Sequence, residues 1–148
     1  MTADKARLRR VRTIERVRAA EQRKAAVAAF DAMAVRHKLE KLSERTRTLA
    51  QLYSIRDGAQ DGSDLRGASL LGAHLRELGK VAEMQAEEAR QAADGKMNEL
   101  ASAERRRQRA EDERRDVHRQ VRDRAASADL PISGQSAAAA RKFGTHLE

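Results

Sequence analysis

Two long runs of residues that favour only the α-helix fill this chain, and a glycine-rich segment at 57–67 separates them. Helix-forming residues dominate up to the single proline, Pro131, so a disordered chain is a poor alternative despite the high charge. Two such runs in 148 residues predict an all-α fold, a long two-helix antiparallel coiled-coil hairpin. A hairpin has almost no interior, so we expect its function to lie on its surface and at its ends.

The hairpin is expected to occupy residues 1–128, with a first helix over 3–56, a loop over 57–68 and a second helix over 69–127. Gly58 follows the last turn of the first helix, and Pro131 interrupts the helical pattern after the second. Residues 129–148 then form a flexible tail. Folding back about the loop brings both ends of the hairpin together.

Apolar residues recur at alternating spacings of three and four in each helix, which is typical of a narrow helix–helix seam. The expected seam residues of the first helix are Val11, Ile14, Ala25, Ala28, Ala32, Val35, Leu39, Leu42, Thr46, Leu49 and Tyr53. Those of the second are Leu71, Leu75, Leu78, Ala82, Ala86, Ala89, Ala93, Met97 and Leu100, after which the stripe thins. The pattern therefore predicts better packing near the loop than near the termini. A short second stripe, Val27, Phe30 and Ala34, predicts either a wider interface or a patch for a partner.

The positive charge is concentrated near the N-terminus. The chain has 31 Lys and Arg against 23 Asp and Glu, and residues 5–24 hold nine basic residues against two acidic ones. Such a block indicates an acidic partner, namely nucleic acid, an anionic membrane or an acidic protein surface. Residues 104–124 are also rich in arginine, but their acids favour solvent-exposed pairs such as Glu111 with Arg115. We therefore expect the open end of the hairpin to be strongly positive.

The sequence contains no pattern of residues typical of catalysis or metal binding. It has no cysteine, no glycine-rich phosphate loop and no apolar run approaching the ~20 residues of a membrane span. The four histidines, His37, His74, His118 and His146, form no helical pair that would suit a metal. We expect a non-enzymatic, cytoplasmic protein with no cofactor and no metal.

Two other functions remain open from the residues alone. Nucleic-acid binding follows from the charge, although no recognition motif is present and no aromatic residues interleave with the arginines. A homo-oligomeric coiled-coil scaffold would result if extended helices paired between chains. An amphipathic membrane helix is a weaker alternative, because residues 5–24 include no aromatic anchor.

A local pattern surrounds the mid-chain break. Leu49 and Tyr53 close the first helix four residues apart, and the second opens with Leu75-Arg-Glu-Leu78-Gly-Lys-Val81-Ala-Glu-Met-Gln85. With the chain length, the two-helix plan and the later Arg/Glu-rich helix, this pattern resembles the FliJ family, the small coiled-coil component of the bacterial flagellar export apparatus. The resemblance covers nearly the whole chain. The chain departs from the family pattern because it has no aromatic residue in the second helix, near the start of which lies His74.

The resemblance implies a stalk similar to the central shaft of rotary ATPases. The end with both termini would enter the pore of the hexameric export ATPase, and the region near the loop would contact the export gate membrane protein. Contact with export chaperones and a position peripheral to the inner membrane through these partners are also implied. The candidate ATPase-binding residues at the basic open end are Arg7, Arg9, Arg10, Arg12, Arg16, Arg105, Arg106 and Arg109. The candidate gate-binding residues are Leu49, Tyr53, His74, Leu78, Val81 and Gln85, although packing in the seam explains Leu49, Tyr53 and Leu78 equally well.

Overall fold

The structure, a computed structural model, describes residues 2–55 and 62–128, and both segments are helical throughout. Helix α1 spans Thr2–Ile55 and helix α2 spans Gly62–Ala128. At about 1.5 Å of rise per residue they are roughly 80 and 100 Å long. The two helices pack against each other, and no strand occurs in the described segments, which confirms the all-α fold.

Helix α2 begins earlier than the sequence predicts. The expected start was residue 69, whereas the helix already includes Gly62 and Gly67. A glycine in a helix costs about 1 kcal/mol relative to alanine. Ala68 is half-buried and Gly72 is buried, so the low exposure of α2 residues extends back to within a few residues of this start. The expected loop residues 57–61 and the expected tail, 129–148, lie outside the described residues.

Ion pairs between the helices establish their relative direction. They include Asp4–Arg124 at 3.1 Å, Glu15–Arg114 at 2.8 Å and Arg47–Glu83 at 2.6 Å. Partner numbers fall along α2 as they rise along α1, so the helices run antiparallel. The start of α1 and the end of α2 therefore share one end of the molecule. We call residues 2–24 and 101–128 the open half, and residues 25–55 and 62–100 the loop half.

The seam between the helices follows a seven-residue repeat. In α1 its two rows are Asp4, Val11, Arg18, Ala25, Ala32, Leu39, Thr46 and Tyr53, and Leu8, Glu15, Gln22, Ala29, Arg36, Ser43 and Ala50. The first row contains six of the expected seam residues. The prediction for the other row was wrong by one position, because Ile14, Val35, Leu42 and Leu49 lie beside the seam and are exposed. In α2 the expected row from Ala82 to Ala93 is buried, whereas Leu71, Leu78 and Met97 are exposed.

The size of the side chains explains this shift. Alanines at positions 82, 86, 89 and 93 line the α2 side of the seam, and Ser43 is buried between the helices on the α1 side. Such small residues let the two backbones approach closely, and the larger Leu42 and Leu49 lie beside the seam next to the row that contains Ser43. Burial also does not divide the molecule as expected. Buried residues occur in both halves, and among the described residues the largest fully buried side chain is Val117, in the open half.

Candidate interaction surfaces

The two halves differ in net charge. The open half contains 18 Lys and Arg against 9 Asp and Glu, a net charge of +9, whereas the loop half contains 10 of each. Positive charge accumulates because α1 and α2 each bring nine basic residues to the same end of the hairpin. The net charge of the open half therefore favours polyanions and acidic protein surfaces, whereas the loop half as a whole is neutral.

The eight candidate arginines of the open half are all exposed. Within the described residues none of them has a carboxylate partner: Arg7 donates to Gln120 at 3.2 Å and Arg105 to Ser102 at 3.2 Å. They do not form one compact cluster. The bond from Arg107 to Gln22 places residues 105–109 about 20 Å along α1 from Arg7. The arginines thus spread along the open half, and their charge is available to a partner.

Charged residues also interrupt the seam of the open half. Glu15 and Arg114 meet across it, with Arg114 Nε 2.8 Å from Glu15 Oε2, although the N–H is not aligned as in a good hydrogen bond. Beside this pair, Arg18 binds Glu21 at 2.8 Å and Arg107 lies 3.6 Å from Glu111. The sequence placed the neighbouring Ile14 in the seam, so it did not predict that Glu15 lies there. In this section an ion pair therefore lies in the seam among buried apolar residues such as Val11, Ala110 and Val117.

One side of the loop half is lined by ion pairs, and we call it the charged edge. Arg47 contacts Glu83 at 2.6 Å, and Glu40 lies between Arg36 and Arg90 at 3.0 and 3.3 Å. The hydrogen bond from Arg36, reinforced by Arg90, lowers the pKa of Glu40. The hydrogen bond to Glu83 raises the pKa of Arg47. The charged side chains on this edge are therefore paired with one another.

The opposite side of the loop half carries a row of aliphatic side chains, which we call the aliphatic edge. It contains Val35, Leu42 and Leu49 from α1 and Leu71 and Leu78 from α2, each between 40% and 51% exposed. The spacing of seven residues keeps each row on one side of its helix. These are the residues that the small side chains of the seam displace outward. Rows of exposed aliphatic residues are typical of protein–protein contact sites.

Five of the six candidate gate-binding residues lie on or next to this edge. Leu49 and Leu78 belong to it, and His74, Val81 and Gln85 are exposed on the adjoining turns of α2. Tyr53 differs, because it is half-buried in the seam row that contains Leu39 and Thr46. The structure thus brings five of these residues onto one side of the hairpin and separates the sixth from them.

Three further findings concern chemistry at the surface. Within residues 2–55 and 62–128, no three His, Asp or Glu side chains lie close enough together to hold a metal ion. His37, His74 and His118 are exposed, and His146 lies outside the described residues. Neither described helix contains a stretch that is both long and apolar enough to cross a membrane. Comparisons of the chain with models of protein families, with curated proteins and with solved structures found no match.

Proposed function

We propose that this chain is a non-enzymatic stalk and adaptor of the bacterial flagellar type III protein export apparatus. In this proposal the open half enters the ring of the hexameric export ATPase, and the aliphatic edge contacts the export gate at the membrane. The observation that carries the proposal is the contrast between the halves of one hairpin. One half has a net charge of +9, and the other has no net charge and an exposed aliphatic edge.

The open half suits a partner that surrounds it. Successive residues of a helix point about 100° apart, so Arg9 and Arg10 point in different directions and Arg12 in a third. Acidic groups on the inner wall of a ring would therefore attract the hairpin from several sides. Such attraction holds a shaft inside the ring without strongly favouring one rotational position. Because no carboxylate of the described residues neutralises these arginines, their positive charge remains available to attract the ring.

The loop half suits a partner that contacts one side. Docking on the aliphatic edge would bury Leu42, Leu49 and Leu78, and each Å² of apolar surface removed from water contributes about 25 cal/mol. The FliJ resemblance assigns gate contact to this region. Export chaperones with an apolar surface would compete for the same edge. The proposed location is the cytoplasm, peripheral to the inner membrane through these partners.

The test measures binding to a purified hexameric flagellar export ATPase and the stimulation of its ATP hydrolysis. The quadruple variant R7E/R9E/R10E/R12E should bind at least about tenfold more weakly and lose most of the stimulation. The matched control is K38E/K41E/R45E/R76E, which makes the same charge change at exposed loop-half residues with no ion pair among the described residues. Circular dichroism establishes that both variants keep their helices.

Equal loss of binding in both variants would contradict the open-end contact, since net charge alone would then explain it. Nucleic-acid binding is the competing outcome. It predicts that DNA at physiological salt displaces the ATPase, with an affinity for DNA that falls steeply as salt rises. Wild-type binding to the ATPase that DNA does not displace supports the stalk proposal.

A further inference from the structure

The outward face of α1, opposite the seam, combines basic and apolar residues in an unusual way. We define it as the residues between Arg10 and Lys41 that point away from α2. Its apolar members are Val17, Ala20, Val27, Phe30 and Ala34, and all of them are exposed. Phe30 is 75% exposed and Val27 is 62% exposed. The chain has only two phenylalanines and one tyrosine, so one of its three aromatic side chains projects into solvent.

Basic residues flank this apolar line on both sides. They are Arg10, Arg16, Arg23, Lys24, Lys38 and Lys41, against the single acid Asp31. Among the described residues, none of the six forms an ion pair. The comparable outward face of α2, over residues 77–109, has three basic and four acidic residues. Within the described residues the hairpin therefore has one basic side and one balanced side.

We propose that the outward face of α1 binds the surface of an anionic lipid bilayer, with Phe30 and Val27 inserted among the lipid chains near the headgroups. A helix lying in the membrane plane needs an apolar line with Lys and Arg on either side. Phe30 supplies the aromatic anchor that residues 5–24 lack, and Val17 and Val27 extend the line. Each Lys or Arg near an anionic surface strengthens binding about fivefold.

The extent of the face favours a bilayer over an acidic partner helix. The basic residues extend over 31 residue steps, or roughly 45 Å of helix. A typical globular helix of about 10–14 residues would cover less than half of this length. A bilayer presents negative headgroups along all of it. Arg10 and Arg16 belong both to this face and to the proposed ATPase contact. Val27, Phe30, Arg23 and Lys24 belong neither to that contact nor to the aliphatic edge, so lipid binding needs neither partner.

Flotation of the full chain with phosphatidylcholine vesicles, with and without phosphatidylglycerol, tests the proposal. Wild type should float only with the anionic vesicles. The variant V27S/F30S should bind about tenfold more weakly, because the inserted apolar area is lost. The matched control L70S/M84S removes two equally exposed apolar residues from the outward face of α2 and should bind like wild type.

Charge gives a second comparison. The variant R23Q/K24Q should bind the anionic vesicles about thirtyfold more weakly, whereas R105Q/R109Q, on α2, should lose less than about threefold. Neither Arg23 nor Lys24 belongs to the proposed ATPase contact, so this result stands whether or not the chain binds the ATPase.

Insertion into the lipid can be measured by the fluorescence of a single introduced tryptophan, because the chain itself contains none. Phe30→Trp should shift its fluorescence to shorter wavelength on anionic vesicles and be quenched by lipids brominated along their chains. Leu70→Trp should do neither. Three results would overturn the proposal: no flotation of wild type, equal flotation of V27S/F30S, or an unquenched tryptophan at position 30. Duplex DNA bound as tightly as the vesicles, with the same losses in each variant, would also overturn it in favour of nucleic acid.

Discussion

The open and loop halves have the same two-helix arrangement but use their side chains in opposite ways. In the open half the bulky Val117 is buried while charged residues such as Glu15 and Arg114 meet across the seam. In the loop half alanines and Ser43 form the buried part of the seam, and Leu42, Leu49, Leu71 and Leu78 lie at one edge. The difference teaches that a narrow seam cannot accommodate every apolar residue nearby. The aliphatic residues that it leaves out become available to partners.

The largest expected effect tests whether the seam is equally closed in both halves. Ala93 in the loop half is 0% exposed and Ala103 in the open half is 2% exposed. Replacing either with aspartate puts a carboxylate without a partner between the helices, which should lower the free energy of unfolding by at least about 3 kcal/mol. Chemical denaturation measures it. The control Ala92→Asp, at an exposed neighbouring position, should cost under about 1 kcal/mol. A mild effect at only one of the two buried alanines would show that the seam is not equally closed in the two halves.

A second test compares a buried valine with a displaced leucine. Val117→Ala should cost about 2 kcal/mol, because it removes a side chain that is only 2% exposed. Leu42→Ala should cost about 1 kcal/mol or less, although it removes more atoms, because Leu42 is 49% exposed. Urea denaturation curves of the two variants give the comparison. A larger loss of stability in Leu42→Ala than in Val117→Ala would contradict the exposed position of Leu42 and favour the seam position that the sequence predicted.

The ion pair of Glu15 with Arg114 tests what charge in the seam contributes to stability. Replacing only Glu15 with leucine leaves Arg114 without its partner and should destabilise the chain by about 1 kcal/mol. The double variant E15L/R114L should recover this loss and gain up to about 1 kcal/mol over wild type, since apolar packing replaces two partly desolvated charges. Thermal melting of the wild type, single variant and double variant completes the test. A double variant less stable than the single one would assign the pair a stabilising role.

The smallest expected effect concerns pH and the charged edge. Arg36 and Arg90 lower the pKa of Glu40 from its ordinary 4.5, so the folded state holds this proton less tightly than the unfolded chain. The stabilisation is therefore complete above that ordinary pKa and is lost as the pH falls through the lowered value. Glu40→Gln should reduce the melting temperature slightly at neutral pH, and the difference from wild type should vanish in acid. The same change at the exposed Glu88 should leave the pH dependence of melting unchanged.

The sequence predicted the fold class and one row of the seam, because helix propensity and the seven-residue repeat are local signals. The sequence-based prediction misplaced Leu42 and Leu49. The hydrophobicity of these two residues does not show how close the helices lie to each other where alanines 82 to 93 line the seam. The same prediction missed the early start of α2, because the glycines at 62 and 67 were interpreted as part of a loop although the helix includes them. The sequence left two options for Phe30, a place in a wider helix–helix interface or exposure as part of a patch for a partner. The direction of the seam in the structure decided for exposure.

The central claim is that one chain folds back on itself, so that both basic helix ends lie at one end of the molecule. Because the chain has no cysteine, Thr13→Cys and Asp116→Cys allow two spin labels to be attached at defined exposed positions. Double electron–electron resonance, with the labelled chain diluted in excess unlabelled chain, measures their separation within one molecule. The hairpin predicts a single distance of roughly 20–30 Å, from helices about 10 Å apart with labels on their outer sides. Loss of this distance on dilution, as expected when extended helices pair only between chains, would contradict the account.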